Sequence, residues 1–368
     1  MQIRQVRSAL DLKAFTEVPY RFYKDDPVWI PPLRSEQKKL FTPEGDPLLR
    51  HAEYALYLLE DHQRQVIGRI AAFVDRHATD FWQEQIGFFG SYECIDDQAA
   101  ANLLLDTARR FLQARGMKVM RGPINFTATE WGFVVEGYEH EPVLMSPYNP
   151  PYYNDQVLNF GMQKAKDLKA FYMLAKDYVL PERIANMLDR LAERYHVKVR
   201  PADLKNLERD TWYMADIMNK SIAFNWGSYP ITREESVQLA KDLRQIVDPN
   251  VVLIAEVDDK PIGFLIGLPD INVLLKGLNG HLLPFIFRLL FQRHKINRYR
   301  LWALGFLPEY HGKGLDTLLY HRAYQALGGK DIFIEVNYVL EDNVKMLNPL
   351  YKLGAKPLKT YRVYAMDI

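Results

Sequence analysis

Apolar and polar positions along the chain write one pattern twice. From Ala55, ALYLLEDHQRQVIGRIAAFVD is an apolar run, a polar turn and a second apolar run; from Val251, VVLIAEVDDKPIGFLIGLPD does the same. Two apolar runs of strand length joined by a charged turn predict a β-hairpin. In both, an aspartate follows seven residues after the glycine of an Ile-Gly pair, Gly68 to Asp75 and Gly263 to Asp270. A further strand and a helix follow each hairpin: IGFFGSYECI with AAANLLLDTARRFLQARG, ending at Gly116, and RYRLWALGFLP with LDTLLYHRAYQALGG, ending at Gly328 and Gly329. Leu315, Leu318, Leu319, Ala323, Ala326 and Leu327 fall at the spacing of one buried helical face. Strands KVMRGPI and DIFIEVNYV come next, and each half closes with a short helix and a glycine, VLNFGM and LYKLGA. The predicted order is strand, strand, strand, helix, strand, helix, strand in both halves, which marks an internal repeat.

Between the halves, LPERIANMLDRLAERYHVKVRPA predicts a helix and the first strand of the second half. The boundary is placed near Pro181, dividing the chain into residues 1–180 and 181–368. A length of 368 residues fits two α/β domains better than one core.

Composition narrows the partners. Lys plus Arg (47) nearly balance Asp plus Glu (46), a net charge of +1, where nucleic-acid binding calls for a basic surplus. The single cysteine, Cys94, rules out an intrachain disulfide or a cysteine-rich metal site and is expected to be buried. The N-terminal MQIRQVRSALDLKAF has no apolar core of signal-peptide length. The most apolar window, VLLKGLNGHLLPFIFRLLFQR from Val273, is broken by Lys276, Asn279, His281, Pro284 and Arg288, so no integral membrane segment is expected. The expectation is a soluble, cytoplasmic protein, with oligomerisation left open.

The chemistry enters at LPEYHGKGLDTLLYHRA, Leu307 to Ala323. Here an apolar strand passes into an amphipathic helix through Gly312, Lys313 and Gly314. Glycines at a helix start leave the backbone bare, and the unpaired N–H groups of a helix N-terminus favour an anion such as a phosphate.

These residues resemble the GNAT superfamily of acyl-CoA-dependent N-acyltransferases, and the chain as a whole resembles a tandem member. The resemblance implies an α/β (α+β) fold of two tandem GNAT-like domains, each a mixed, largely antiparallel twisted sheet flanked by helices. The family's pyrophosphate loop, Arg/Gln-x-x-Gly-x-Gly/Ala, matches His311, Gly312, Lys313, Gly314, Leu315 and Asp316 at its two inner glycines. His311 replaces the Arg or Gln, and Asp316 replaces the final small residue. Downstream, EDNVKMLNPLYKLGA is similar to the family's Asn followed by a Leu-Tyr-x-x-x-Gly signature and supplies Asn343, Tyr351 and Gly354 in that order. Pro349 is expected to kink or restart that helix.

The resemblance implies acetyl-CoA or another acyl-CoA as co-substrate, no metal, and a small-molecule or peptide amine as acceptor. The strand end at Leu304, Gly305, Phe306 and Leu307 would pair with the pantetheine arm, one N–H polarising the thioester carbonyl. Tyr351 would protonate the departing thiolate. Asn343 would cap its helix and touch the cofactor. Glu335 and Glu341 are candidate bases for the amine, with Asp270 and His281 behind them.

The first half keeps the architecture without that chemistry. Its turn, CIDDQAAAN, has no glycine and carries Asp96 and Asp97, which would repel a pyrophosphate. Aligned on Gly161, Leu158 stands opposite Tyr351; aligned on the NPPYY stretch, Tyr152 does. One cofactor site per chain is expected, in the second half. The insert GLPDINVLLKGLNGHLLPFIFRLLF reads as extra core helix or as a lid over an apolar channel. GPINFTATEWGFVVEGYEHEP, after Arg121, reads as a packed loop or as the wall of an acceptor pocket between the domains. The rival to an N-acyltransferase is a non-catalytic acyl-CoA-binding or regulatory protein, which His311, Asp316 and Pro349 favour. A narrower variant, aminoacyl transfer from charged tRNA, is disfavoured by the neutral charge balance and the intact Gly-x-Gly.

Overall fold

The computed structural model describes residues 1–126, 130–177, 182–221 and 225–368. The boundary at Pro181 and the Thr127–Thr129 part of the long first-half loop lie outside these residues. The first half contains β1 (Gln2–Gln5), α1 (Ala9–Phe22), α2 (Arg34–Lys39), β2 (Glu53–Glu60), β3 (Val66–Val74), α3 (Arg76–Trp82), β4 (Ile86–Cys94), α4 (Gln98–Gln113), β5 (Val119–Gly122), β6 (Phe133–Glu136), α5 (Tyr152–Asn159) and β7 (Gln163–Leu174). The second contains α6 (Glu182–Tyr195), β8 (Val197–Pro201), α7 (Leu207–Ser221), α8 (Arg233–Leu243), β9 (Val252–Val257), β10 (Lys260–Pro269), α9 (Asn272–Leu275), α10 (Leu282–Phe291), β11 (Arg298–Phe306), α11 (Asp316–Leu327), β12 (Phe333–Leu340), α12 (Val344–Lys352) and β13 (Lys356–Asp367). The repeated order is present, from β2 to β7 and from β9 to β13, with α3 and β6 added in the first half and α9 and α10 in the second.

Strand periodicity explains why β3 reads as one apolar run. Ile70, Ala72 and Val74 pack with Leu104 and Leu105 of α4, while Ala71 and Phe73 pack with Phe15 and Val18 of α1. Both faces of the strand are covered, so alternation disappears from the sequence. In β10, Leu265 faces Leu318 and Leu319 of α11, and Phe264 faces Met214 and Ile217 of α7.

The strands join in one sheet, ordered β1-β2-β3-β4-β5-β13-β7-β12-β11-β10-β9-β8, with β6 also pairing β13. The closing strands are exchanged. β13, from the end of the second half, pairs β5 of the first (Tyr364 opposite Gly122), and β7 pairs β12 of the second (Tyr172 opposite Glu335). The two long strands pair with each other from Lys356–Tyr172 to Ala365–Gln163. Tyr361, Val363 and Tyr364 are fully buried in first-half cores, and Phe171 of β7 is buried with Val336 and Leu350 of the second. Across this seam Arg362 holds Asp167 in a bidentate pair at 2.7 and 2.9 Å.

Each half opens a V between its two parallel strands. β4 and β5 pair only from Ile86–Val119 to Phe88–Arg121, and β11 and β12 only from Arg298–Phe333 to Leu301–Val336. Beyond those pairs, Ala303–Phe306 pair with β10 on one side and, among the described residues, meet no strand on the other.

Candidate active site

The V of the second half opens into a cavity of about 1150 Å³ shared by both halves. Ala303 and Leu304 of β11, Asn337 and Tyr338 of β12, and Asn343 line it at the V. Met214 and Met218 of α7 and Phe285 and Leu289 of α10 form an apolar wall. Polar groups come from both halves: Tyr23, Arg69, Glu93, Asn125 and Glu130 of the first, and Thr211, Glu235, Lys241, Asp242 and Asn272 of the second.

The glycine turn follows β11 and is exposed. Gly312 and Gly314 sit at φ 72° and 73°, a region natural to glycine, and an added Cβ at either would meet no atom within 4 Å. Among the described residues, the backbone N–H groups of Gly312, Lys313, Gly314 and Leu315 have no hydrogen-bond acceptor. α11 has no side-chain cap, and its first turn closes through Thr317 and Leu318, which donate to the Gly314 and Leu315 carbonyls at 3.2 and 3.1 Å. Lys313 holds its ammonium over the rings of Tyr310 and Tyr195, 4.9 and 5.4 Å from their centres. His311 does not face the bare amides; its Nε2 lies 2.7 Å from the Phe306 carbonyl, tying the turn to the strand end. Asp316 is half-buried, and burial raises its carboxyl above the usual carboxylate range. Leu315 is core, packed with Leu265 and Leu319.

Other expected site residues separate into those at the V and those away from it. Leu304 and Asn343 line the cavity, and the Asn343 side chain caps α12 by accepting from the Met346 N–H at 3.2 Å. Gly305 and Phe306 are buried in β11. The Leu307 N–H donates to the Ile262 carbonyl at 2.8 Å, so it is not available to an oxyanion. Tyr351 does not line the cavity: it is 56% exposed, its ring edge-on to Phe171 at 5.3 Å. Two residues separate it from Gly354 where the signature has three, and on α12 Tyr351 is exposed while Leu350 is buried. α12 runs through Pro349 without restarting.

The candidate bases are also away from the cavity. Glu335 is fully buried in β12, accepting from Asn337 Nδ2 at 2.6 Å with its other oxygen unpartnered among the described residues; burial pushes its carboxyl up to about 6. Glu341 pins β7, accepting from the Asp167 N–H at 3.0 Å and Lys164 Nζ at 2.6 Å. Asp270 is buried and accepts from the Leu144 and Asn272 N–H groups at 2.9 and 3.2 Å. His281 is an exposed residue preceding α10. These carboxylates hold elements together, which is the ordinary role of buried, bonded charge.

Several polar groups that line the cavity, beyond Asn343, were missed. Arg69 and Glu93 are cross-strand partners, with Arg69 also donating to the Phe15 carbonyl at 2.9 Å. Glu93 accepts from Tyr23, from Tyr153 at 2.9 Å and from Arg69 at 3.3 Å, so its acceptor capacity is largely used. Glu130 differs. One oxygen accepts from Asn125 Nδ2, whose Oδ1 in turn accepts the Ser91 N–H at 2.8 Å; the other has no partner among the described residues. Burial raises Glu130 above the usual range, and Arg300 and Arg69 pull it back only in part. The signal for Arg69 and Glu93 was a lone charge in the apolar strands VIGRIAAFV and IGFFGSYEC. The loop carrying Asn125 and Glu130 is the one whose lack of periodicity suggested a pocket wall, and its described residues do line the cavity. The insert lines it too, through Leu275, Leu282, Phe285, Ile286 and Leu289, so it is more than extra core.

In the first half the matching V is filled. The Tyr153 hydroxyl accepts from the Cys94 N–H at 3.0 Å, and the Tyr152 hydroxyl donates to the Cys94 carbonyl at 2.9 Å. Asp97 caps α4, accepting the Ala100 N–H at 2.8 Å. Cys94 is buried as expected.

Comparison with known proteins agrees with this geometry. Residues 204–355 match the model of the acetyltransferase (GNAT) family. The chain is 30% identical over 380 residues to protein YghO of Escherichia coli K12, covering all of this chain and 95% of the relative. It is 30% identical over 374 residues to a protein named bacterial ceramide synthase in Caulobacter vibrioides, covering 99% and 97%. A tandem GNAT protein from the clavulanic acid biosynthesis pathway superposes with a TM-score of 0.57 at 9% identity, over 100% of this chain and 98% of that one, a likeness of fold. Parallel strands that part beside a helix start occur in both halves, and together with these matches they place the chain in the acetyltransferase (GNAT) family, as a tandem member of it.

Proposed function

We propose that the chain transfers a long-chain acyl group from a coenzyme A thioester to the primary amine of a long-chain amino alcohol, by direct displacement. The observation that carries this reading is the cavity. At about 1150 Å³ it exceeds the roughly 300–1,000 Å³ of ordinary small-molecule pockets, and its α7 and α10 walls are apolar. An acetyl group and a small amine would leave most of that space unfilled. The relative named bacterial ceramide synthase supports the same substrate class, since a ceramide is an N-acylated long-chain amino alcohol.

The Gly312–Gly314 amides and the N-terminus of α11 would hold the pyrophosphate. The unpaired edge of Ala303–Phe306 would accept the pantetheine arm as an added strand and offer a backbone N–H to the thioester oxygen. Asn343 closes the V from the start of α12. Glu130, raised by burial and with one oxygen unpartnered among the described residues, would take the proton from the attacking ammonium. The amine then attacks the thioester carbon, the C–N bond forms, the C–S bond breaks, and the thiolate leaves with the electron pair; the second proton, shed by the new amide nitrogen, passes to the thiolate directly or through solvent. Tyr351 is too far turned from the cavity to be assigned the acid role, which stays with solvent or the released proton.

Turnover with acetyl-, octanoyl- and palmitoyl-CoA against a long-chain amino alcohol and short amines tests this. Palmitoyl transfer to the long-chain amine is expected to dominate, with acyl-CoA binding tightening by up to about 0.8 kcal/mol per buried methylene. Preference for acetyl-CoA, or flat affinity with chain length, would remove the long-chain reading; tight binding without turnover would favour an acyl-CoA-binding protein.

A further inference from the structure

Helix α10 is apolar on two sides. Leu282, Phe285, Ile286 and Leu289 line the cavity. Leu283, Phe287, Leu290 and Phe291, none of them a lining residue, are 80%, 58%, 71% and 63% exposed. Their spacing of four, three and one residues makes one outward stripe, and the Phe287 and Phe291 rings lie 4.8 Å apart within it. Single exposed leucines are ordinary, but six large apolar side chains exposed on a ten-residue helix are not. The one charge on the helix is withdrawn from the stripe: the Arg288 guanidinium donates to the Leu274 and Lys276 carbonyls at 3.0 and 2.8 Å.

The surroundings are basic. Arg293, His294 and Lys295 follow the helix and are exposed, and no Asp or Glu occurs between Asp270 and Glu309. Nearby, Glu141 pairs with Lys276 and Arg298, and Arg293 donates to the Gln245, Ile246 and Val247 carbonyls while staying exposed. An outward apolar stripe followed by exposed cationic residues is the makeup of a helix that lies in the plane of an anionic membrane surface. Self-association fits less well, because a two-fold contact through the stripe brings the two cationic rims together. No helix among the described residues is long and apolar enough to cross a membrane, so the contact is with one surface.

We propose that α10 docks the protein on the surface of an anionic phospholipid bilayer, and that a long-chain amphiphile passes from the bilayer along α10 into the cavity. The docking stands on α10 alone; the passage rests on the long-chain reading of the cavity. The same helix then presents one apolar face to lipid and the other to the bound chain.

Flotation of the full chain with vesicles tests both parts, using phosphatidylcholine alone and phosphatidylcholine with phosphatidylglycerol. The protein is expected to float with the anionic vesicles, less so at high salt. The double variant Leu283→Ser, Leu290→Ser is expected to lose at least tenfold in vesicle partitioning. It should also lose turnover of vesicle-embedded amino alcohol while keeping turnover of the same amine dispersed in detergent. Arg293→Glu with Lys295→Glu should lower partitioning onto anionic vesicles selectively. Circular dichroism and thermal melting check that each variant folds. Absence of flotation with intact turnover in detergent would overturn the docking and leave the proposed function standing. Flotation without any turnover of a long-chain amine would overturn the passage and the proposed function and leave the docking standing. A dimer in sedimentation that the double variant dissolves, in a protein that does not float, would assign the stripe to a second copy of the chain instead.

Discussion

In the first half, the strand-to-helix turn closes on itself. Asp97 caps α4 from within, and Tyr152 and Tyr153 fill the backbone groups of Cys94 where β4 leaves β5. In the second half the same positions are bare. α11 starts without a side-chain cap, the amides from Gly312 to Leu315 are unpaired among the described residues, and the V opens into a cavity. On the proposed function, one backbone plan serves in one copy as scaffold and in the other as a place for an anion and an extended arm. A few side chains decide which: a carboxylate and two tyrosines against two glycines. The first half is not idle, since it supplies Arg69, Glu93, Asn125 and Glu130 to the cavity of its neighbour.

That division of labour is most easily broken at Glu130. Glu130→Gln keeps the size of the side chain and its bond to Asn125 while removing the base, so kcat is expected to fall at least ~100-fold with coenzyme A affinity unchanged. The acidic limb of the kcat/KM profile should disappear with it. Full activity would return the search for the base to the second half.

The carboxylates of the second half are scaffold on this comparison, and Glu335 offers the next largest effect. Its folded value of about 6 lies above the ordinary 4.5, so the folded state binds the proton more tightly than the unfolded one. Its stabilising contribution is present below 4.5 and is lost as pH rises to about 6, a loss of about 2 kcal/mol at ~1.4 kcal/mol per unit. Denaturant unfolding of the wild type against Glu335→Gln should show the wild type losing that much relative stability between pH 4 and pH 7, while turnover survives. Parallel stability curves would mean the carboxyl is not buried as described.

The two turns can be exchanged in character. Gly314→Val places a branched side chain at φ 73° over the bare amides and should weaken coenzyme A binding at least tenfold, about 1.4 kcal/mol, with folding checked by circular dichroism. Asp97→Ala removes a cap and should cost about 1 kcal/mol of stability with coenzyme A affinity unchanged. If both variants lose affinity equally, the two turns are not different in use. The smallest effect belongs to Tyr351→Phe, expected to leave kcat within about twofold because Tyr351 is exposed and does not line the cavity.

The elements were legible because their signals are local. Hairpin turns, the helical face from Leu315 to Leu327 and the bare Gly312 and Gly314 all appear within a dozen residues of chain. The exchange of closing strands was not. β7 and β13 are both twelve-residue strands that can satisfy either parallel neighbour, and nothing within them names the partner. The site was half legible for the same reason. The glycine turn is a local motif, whereas Glu130 enters the proposal only because a first-half loop lines the same cavity as the second-half V. Tyr351 misled because its helix was matched by residue type: one residue of register turns a helical side chain by about 100°, which separates a cavity from solvent.

Calorimetric titration of the full chain with coenzyme A tests the difference between the halves most directly. One equivalent per chain is expected, with binding lost in Gly314→Val and kept in Asp97→Ala. Two equivalents of similar affinity, or one that survives Gly314→Val in a folded protein, would contradict it.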